Sequence, residues 1–142
     1  MPPWYVHTVF NLVVFIPLLL FLKIFSLELI LLILAWGVLI DLDHLPYFIY
    51  KLRTVNFSKI MKYANQEYTL DRPHFYPFHT IEFFIIFSIA LYLKNFDLTL
   101  TLLLLTGLFH LALDSTRHYI IHRNFSWLRH YSSIYYFFKK YM

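Results

Sequence analysis

Between Val6 and Ile40 the chain reads VHTVFNLVVFIPLLLFLKIFSLELILLILAWGVLI, and how this block divides decides the fold. As one helix it would be about 50 Å long, against a bilayer hydrocarbon core of about 30 Å. A break belongs near Lys23 to Glu28, where the lysine complements one helix's C-terminal end and Ser26 with Glu28 caps and complements the next helix's start. Two more apolar blocks follow, Phe78 to Leu93 and Leu98 to Ile121. The expected fold is all-α, an integral membrane bundle of about four transmembrane helices near 5–25, 27–42, 78–93 and 98–121. The whole of 1–142 then forms one membrane domain, with a cytoplasmic connection over 45–77 and a basic, aromatic tail over 123–142.

Composition supports that division. Of 142 residues, 60% are hydrophobic and 14% charged, too little polar surface to keep a folded chain of this size in water. The alternation of a membrane β-barrel is absent from the apolar blocks, and backbone groups in hydrocarbon must then be paired within helices. With no cysteine, disulfides and thiolate metal sites are excluded. Met1-Pro-Pro-Trp-Tyr5 lacks a basic region, and no small-residue cleavage site follows, so the first block is expected to stay as a span.

Basic residues set the expected orientation. Lys51, Arg53, Lys59, Lys62 and Arg72 fall in the long connection, and Arg117, Arg123, Arg129, Lys139 and Lys140 at or after the end of the last span. Only Lys23 and Lys94 remain for the other side, which places both termini at the cytoplasmic face of the inner membrane. Within the connection, Phe57, Ile60, Met61, Ala64 and Tyr68 share a helical face beside Lys59, Lys62 and Gln66, the pattern of an amphipathic helix lying in the interface. Trp127, Tyr131, Tyr135 and Phe138 repeat it in the tail. The implied partners are membrane lipids and not nucleic acid.

Function has to be read from polar residues in costly places. An acidic side chain at a span centre costs about 2.5–3.5 kcal/mol on insertion scales, so it is expected to face protein, water or a ligand. Asp41, Asp43 and His44 end the second span, His74, His79 and Glu82 open the third, and His110, Asp114 and His118 line the fourth. In the four-span arrangement these segments meet at the cytoplasmic face. His110 and Asp114 stand four apart on one helical face, and His118 continues it. Imidazoles with carboxylates suit zinc, with manganese or iron as alternatives, and their number would serve one ion or two. Asp43 and Glu82 are candidate general bases, though Glu82 could instead pair with Arg117 or Lys94. His7, His122 and His130, each alone near a span end, read as interfacial side chains.

The order Asp41-x-Asp43-His44, then His74 to His79, then His110 to Asp114 resembles the membrane-bound, metal-dependent hydrolases of the YdjM type, over roughly Gly37 to Asp114. The chain departs from that pattern at Ile40, where proline is usual, at Phe75, where arginine is usual, and at Thr80 in place of serine. The resemblance implies hydrolysis by metal-activated water, with a distant likeness to zinc-dependent phospholipase C. Flanking Lys51, Arg53, Arg117 and Arg123 favour an anionic lipid or phosphoester substrate at the inner leaflet. Three other functions use similar residues. A di-iron lipid hydroxylase would use His118 and His122, but paired His-His motifs are absent from the sequence. A metal transporter needs polar groups that continue to the far side, where Leu, Ile and Phe dominate. A scaffold would hold its metal in a closed, structural site.

Overall fold

The computed structural model describes residues 4–67, 76–123 and 132–141, and all regular structure among them is helical. The elements are α1 (Trp4–Phe21), α2 (Leu27–Leu39), α3 (His44–Leu52), α4 (Phe57–Glu67), α5 (Ile81–Leu93), α6 (Leu98–His122) and α7 (Ser133–Tyr141).

Helix α1 stops where the sequence suggests. Ile24 N donates to Leu19 O and Lys23 N to Leu20 O, both at 3.1 Å, a C-terminal lock that places Lys23 in the left-handed region at φ 56°. Ser26 then accepts from Leu29 N at 3.2 Å and starts α2. The same device ends α5 at Asn95, φ 53°, after which Asp97 accepts from Leu100 N at 3.0 Å and starts α6. Two antiparallel hairpins result, α1 with α2 and α5 with α6.

The second helix does not end at residue 42 as expected. Ile40–Asp43 tightens into a 3-10 turn and leads straight into α3, so Leu27–Leu52 is a continuous rod of 26 residues. Pro46 supplies the reason: it has no N–H to give to the carbonyl of Leu42, and its ring crowds that carbonyl, so the turn before it tightens instead of breaking. The rod and α6, at 25 residues, are long and apolar enough to cross a membrane. The other two expected spans are shorter, Val6–Phe21 and Ile81–Leu93. At 13 residues, α5 is about 20 Å long.

The apolar stripe of α4 also behaves differently from expectation. Ile60 and Ala64 are buried against Phe48 of α3, with Leu45, Tyr47 and Tyr63 packed around them. Two residues of the stripe are therefore covered within the protein, while Met61 is half-buried and Phe57 is exposed. Tyr68 lies outside the described residues. A second core, Phe15, Leu19, Ile33 and Leu102, joins α1, α2 and α6. Outside these cores Val13, Leu20, Leu31, Ile86, Ile89 and Leu105 are all exposed. An outer surface this apolar is suited to lipid and is a liability in water.

Both glycines of the chain mark close helix approaches. A Cβ on Gly37 would run into the side-chain amide of Asn11 on α1. One on Gly107 would lie 2.5 Å from Cε1 of Phe84 and 3.4 Å from Cδ1 of Ile40. Gly107 thus lets α5 and the rod close on α6 within a turn of His110, which brings Asp41, next to Ile40, to that histidine. Gly107→Val should overpack this crossing and destabilise the fold by about 1–3 kcal/mol. Thermal unfolding in detergent should show a lowered midpoint, partly restored in the Gly107→Val, Phe84→Ala double variant.

Candidate metal centre

Three elements deliver the polar residues. Asp41 comes from the 3-10 turn of the rod, His79 from a second 3-10 turn (Pro77–His79) ahead of α5, and His110 with Asp114 from α6. Pro77 starts the second turn, and Thr80 ends it by capping α5, accepting from Phe83 N at 3.2 Å. His79 is thereby fixed immediately before the helix.

One donor atom from each of Asp41, His79, His110 and Asp114 lies within 4.8 Å of every other. The Nε2 atoms of His79 and His110 face each other at 3.3 Å. Asp41 Oδ1 is 3.7 Å from the first and 3.4 Å from the second. Asp114 Oδ2 is 3.5 Å from both. A tetrahedral ion with ligand distances of about 2.0–2.2 Å needs donor separations roughly 1.6 times larger, about 3.3–3.6 Å; four of these five separations fall in that window, Asp41 to His79 lies at 3.7 Å, and the sixth edge, Asp41 to Asp114, is within 4.8 Å. A pure ion-pair network fits less well. It would have one imidazole donate its Nε2–H across 3.3 Å to the Nε2 lone pair of the other, so that only one of the two rings carries charge against two carboxylates. The set is buried, with His110 at 0% exposure and the side chain of Asp41, the most open of the four, at 15%. Asp41 Oδ1 has no hydrogen-bond partner among the described residues. Carboxylates in such surroundings are paired or hold a cation.

Asp43 stands behind His79. Its Oδ2 accepts from Phe78 N at 2.8 Å and lies 3.3 Å from His79 Nδ1. A proton on Nδ1 directed at Asp43 leaves the Nε2 lone pair facing the cluster, the carboxylate–histidine arrangement found behind many metal ligands. His44 sits between the two aspartates, Nδ1 3.7 Å from Asp43 Oδ1 and Nε2 3.8 Å from Asp41 Oδ1. Asp43, His44 and His79 together form a second group with ligand spacing.

Other expected site residues fall elsewhere. His118 is buried one turn beyond Asp114, its ring 4.4 Å from that of His122, and is not in either group. His74 lies outside the described residues, as does His130. Glu82 is turned from the cluster toward the tail: its carboxylate accepts from Ser132 Oγ at 2.8 Å, Ser133 N at 3.1 Å and Ile134 N at 3.2 Å. It satisfies the otherwise unpaired N–H groups that open α7. The alternatives of an ion pair with Arg117 or Lys94 are not among its contacts in this structure.

One residue missed in the sequence belongs here. His7, read as an interfacial side chain, is 1% exposed. Its ring stacks on His110 with centroids 3.9 Å apart and planes 12° from parallel, and its Nε2 lies 3.3 Å from Asp114 Oδ1. The available signal was Asn11, four residues on, which gives α1 a buried polar stripe in an otherwise apolar helix.

Comparison with family models, curated proteins and solved structures finds no match to this chain. Its chemistry rests on its own geometry.

If Glu82 holds the tail, Glu82→Ala should free α7 at a cost of about 1–3 kcal/mol of local stability. Limited proteolysis of detergent-purified protein should then cut within 132–141 sooner than in wild type, while bound metal stays constant. Loss of metal in this variant would return Glu82 to the centre.

Proposed function

We propose that this chain is a membrane-embedded, metal-dependent hydrolase in which Asp41, His79, His110 and Asp114 hold a divalent cation, most suitably zinc. The observation that carries the reading is the buried set of two imidazole nitrogens and two carboxylate oxygens, five of whose six separations are 3.3–3.7 Å and close to those of a tetrahedron. A cation there would lower the pKa of a bound water to about 7 and polarise the oxygen under attack. Asp43 orients His79. His44, whose two ring nitrogens lack hydrogen-bond partners among the described residues, is the group placed to accept a proton beside Asp41. Asp41, the most open donor, marks the side of approach. The sequence resemblance to YdjM-type hydrolases points to the same chemistry, and the basic ends of α3 and α6 (Lys51, Arg53, Arg123) favour an anionic lipid or phosphoester. In this reading α1 and α5 complete a bundle of four membrane-crossing helices, with the centre toward the cytoplasmic leaflet.

A second reading has a specific observation in its favour. Four protein donors already fill a tetrahedron, and a closed set is the mark of a structural ion. Coordination that opens for water separates the two.

Metal analysis of folded, detergent-purified protein should find one equivalent in wild type and in Thr106→Ala, and less than a tenth of that in His110→Ala or Asp114→Ala. His44→Ala should keep the ion and lose hydrolysis of phosphoester substrates. A second equivalent that disappears in His44→Ala would make the centre dinuclear, and full occupancy in the His110 and Asp114 variants would remove the cation altogether. An exchangeable water should show as an azide-dependent change in the visible bands of cobalt-loaded protein, whereas a closed structural site should not respond.

The chain has no native cysteine, so topology can be tested with single introduced ones. Cysteines at Lys94 and Tyr63 should react with an impermeant thiol reagent from opposite sides of the membrane. Reaction of both from one side contradicts the four-helix crossing.

A further inference from the structure

The centre described above draws its donors from the rod, the turn before α5, and α6, yet the most intimate ring contact in it comes from α1. His79 has a carboxylate behind it, Asp43, to fix its tautomer and orientation. His110 has no such support: its Nδ1 is buried without a hydrogen-bond partner among the described residues. What holds that ring is the flat stack with His7 at 3.9 Å. The same His7 places Nε2 3.3 Å from Oδ1 of Asp114, the carboxylate oxygen not turned to the donor cluster, an electrostatic contact that falls short of hydrogen-bond geometry. One side chain therefore touches two of the four donors. Its own position is fixed in turn, because Asn11, one helical turn along, is buried against Gly37 of the rod, where a larger residue could not fit.

From this we infer that His7 is a positioning residue of the metal centre: it clamps Asp114 through Oδ1, which leaves Oδ2 for the ion, and locks the plane of the His110 ring. The inference rests on the cation reading. It assigns α1 a chemical role and makes the centre incomplete without the first helix. Residues that support metal ligands from behind typically change metal affinity 10- to 100-fold when removed.

The test uses zinc and cobalt ions alone, titrated into full-length apoprotein in detergent. His7→Ala should bind one equivalent with affinity lowered 10- to 100-fold, and its cobalt complex should show shifted visible bands, because the His110 plane and the Asp114 oxygen are no longer held. His7→Gln keeps an N–H donor for Asp114 at similar reach and should recover part of the affinity. Phe15→Ala removes a buried side chain from the same helix without touching the centre, so it should lower the melting temperature while affinity and bands stay as in wild type. Wild-type affinity and bands in His7→Ala, with wild type binding its ion, would overturn the role of His7 alone. An equal loss of affinity in Phe15→Ala would also overturn it, by tracing the effect to general packing of α1. Absence of a stoichiometric ion in wild type would overturn the cation reading and this inference together. Should His7→Ala fail to fold by circular dichroism, His7→Phe decides: it keeps an aromatic ring against His110 but has no N–H for Asp114, and unaltered affinity and bands in it would refute the clamp on Asp114.

Discussion

A carboxylate inside a bundle of apolar helices needs compensating charge or hydrogen bonds within a few ångström, because leaving it uncompensated costs several kcal/mol. Two such carboxylates, Asp41 and Asp114, sit at the meeting point of the rod, α5 and α6, and two imidazoles stand between them. The arrangement of the other elements follows from satisfying this requirement. The rod continues past Asp41 instead of releasing it to solvent, and a short turn holds His79 directly before α5. Helix α6 places His110 and Asp114 a turn apart on its buried face.

Close approach is the second requirement, and the chain meets it with very few small residues. Its two glycines sit where α1 meets the rod and where α5 and the rod meet α6. Small residues at helix crossings are the usual means of tightening bundles in lipid, where apolar surface gains little by leaving its solvent. The turns between helices use no glycine: Lys23, Asn95, Phe96, Arg53 and Arg123 take positive φ instead. For non-glycine residues that conformation costs roughly 1 kcal/mol each, and it is tolerated because it completes the terminal hydrogen bonds of the helices.

Much of this is legible in the sequence, for local reasons. The first hairpin is readable because Lys23, Ser26 and Glu28 are capping residues inside an unbroken apolar run, and the fourth helix because nothing interrupts Leu98 to His122. The convergence of Asp41, His79, His110 and Asp114 is readable because each carries a burial cost in its own segment. Three features are hidden because they depend on partners far along the chain. Ile60 and Ala64 read as a membrane-facing stripe because the sequence does not reveal that Phe48 covers them. Glu82 reads as a site residue because its partners lie at 132–134. His7 is the most instructive case. A lone histidine near the start of an apolar helix is ordinary, and only the fold places it on His110.

The contact between His7 and Asp114 joins the first turns of α1 to the middle of α6, so it encloses nearly all of the described chain. Contacts of such long range close late in folding, because the intervening loop entropy must first be overcome by nearer contacts. As the ribosome delivers the chain, His7 emerges well before its acidic partner exists, and Asp41 does so before either histidine of its cluster. Each early helix thus carries a polar group whose satisfaction waits on the last long helix. A chain stopped short of α6 therefore lacks the partners that these early polar groups meet in the complete fold.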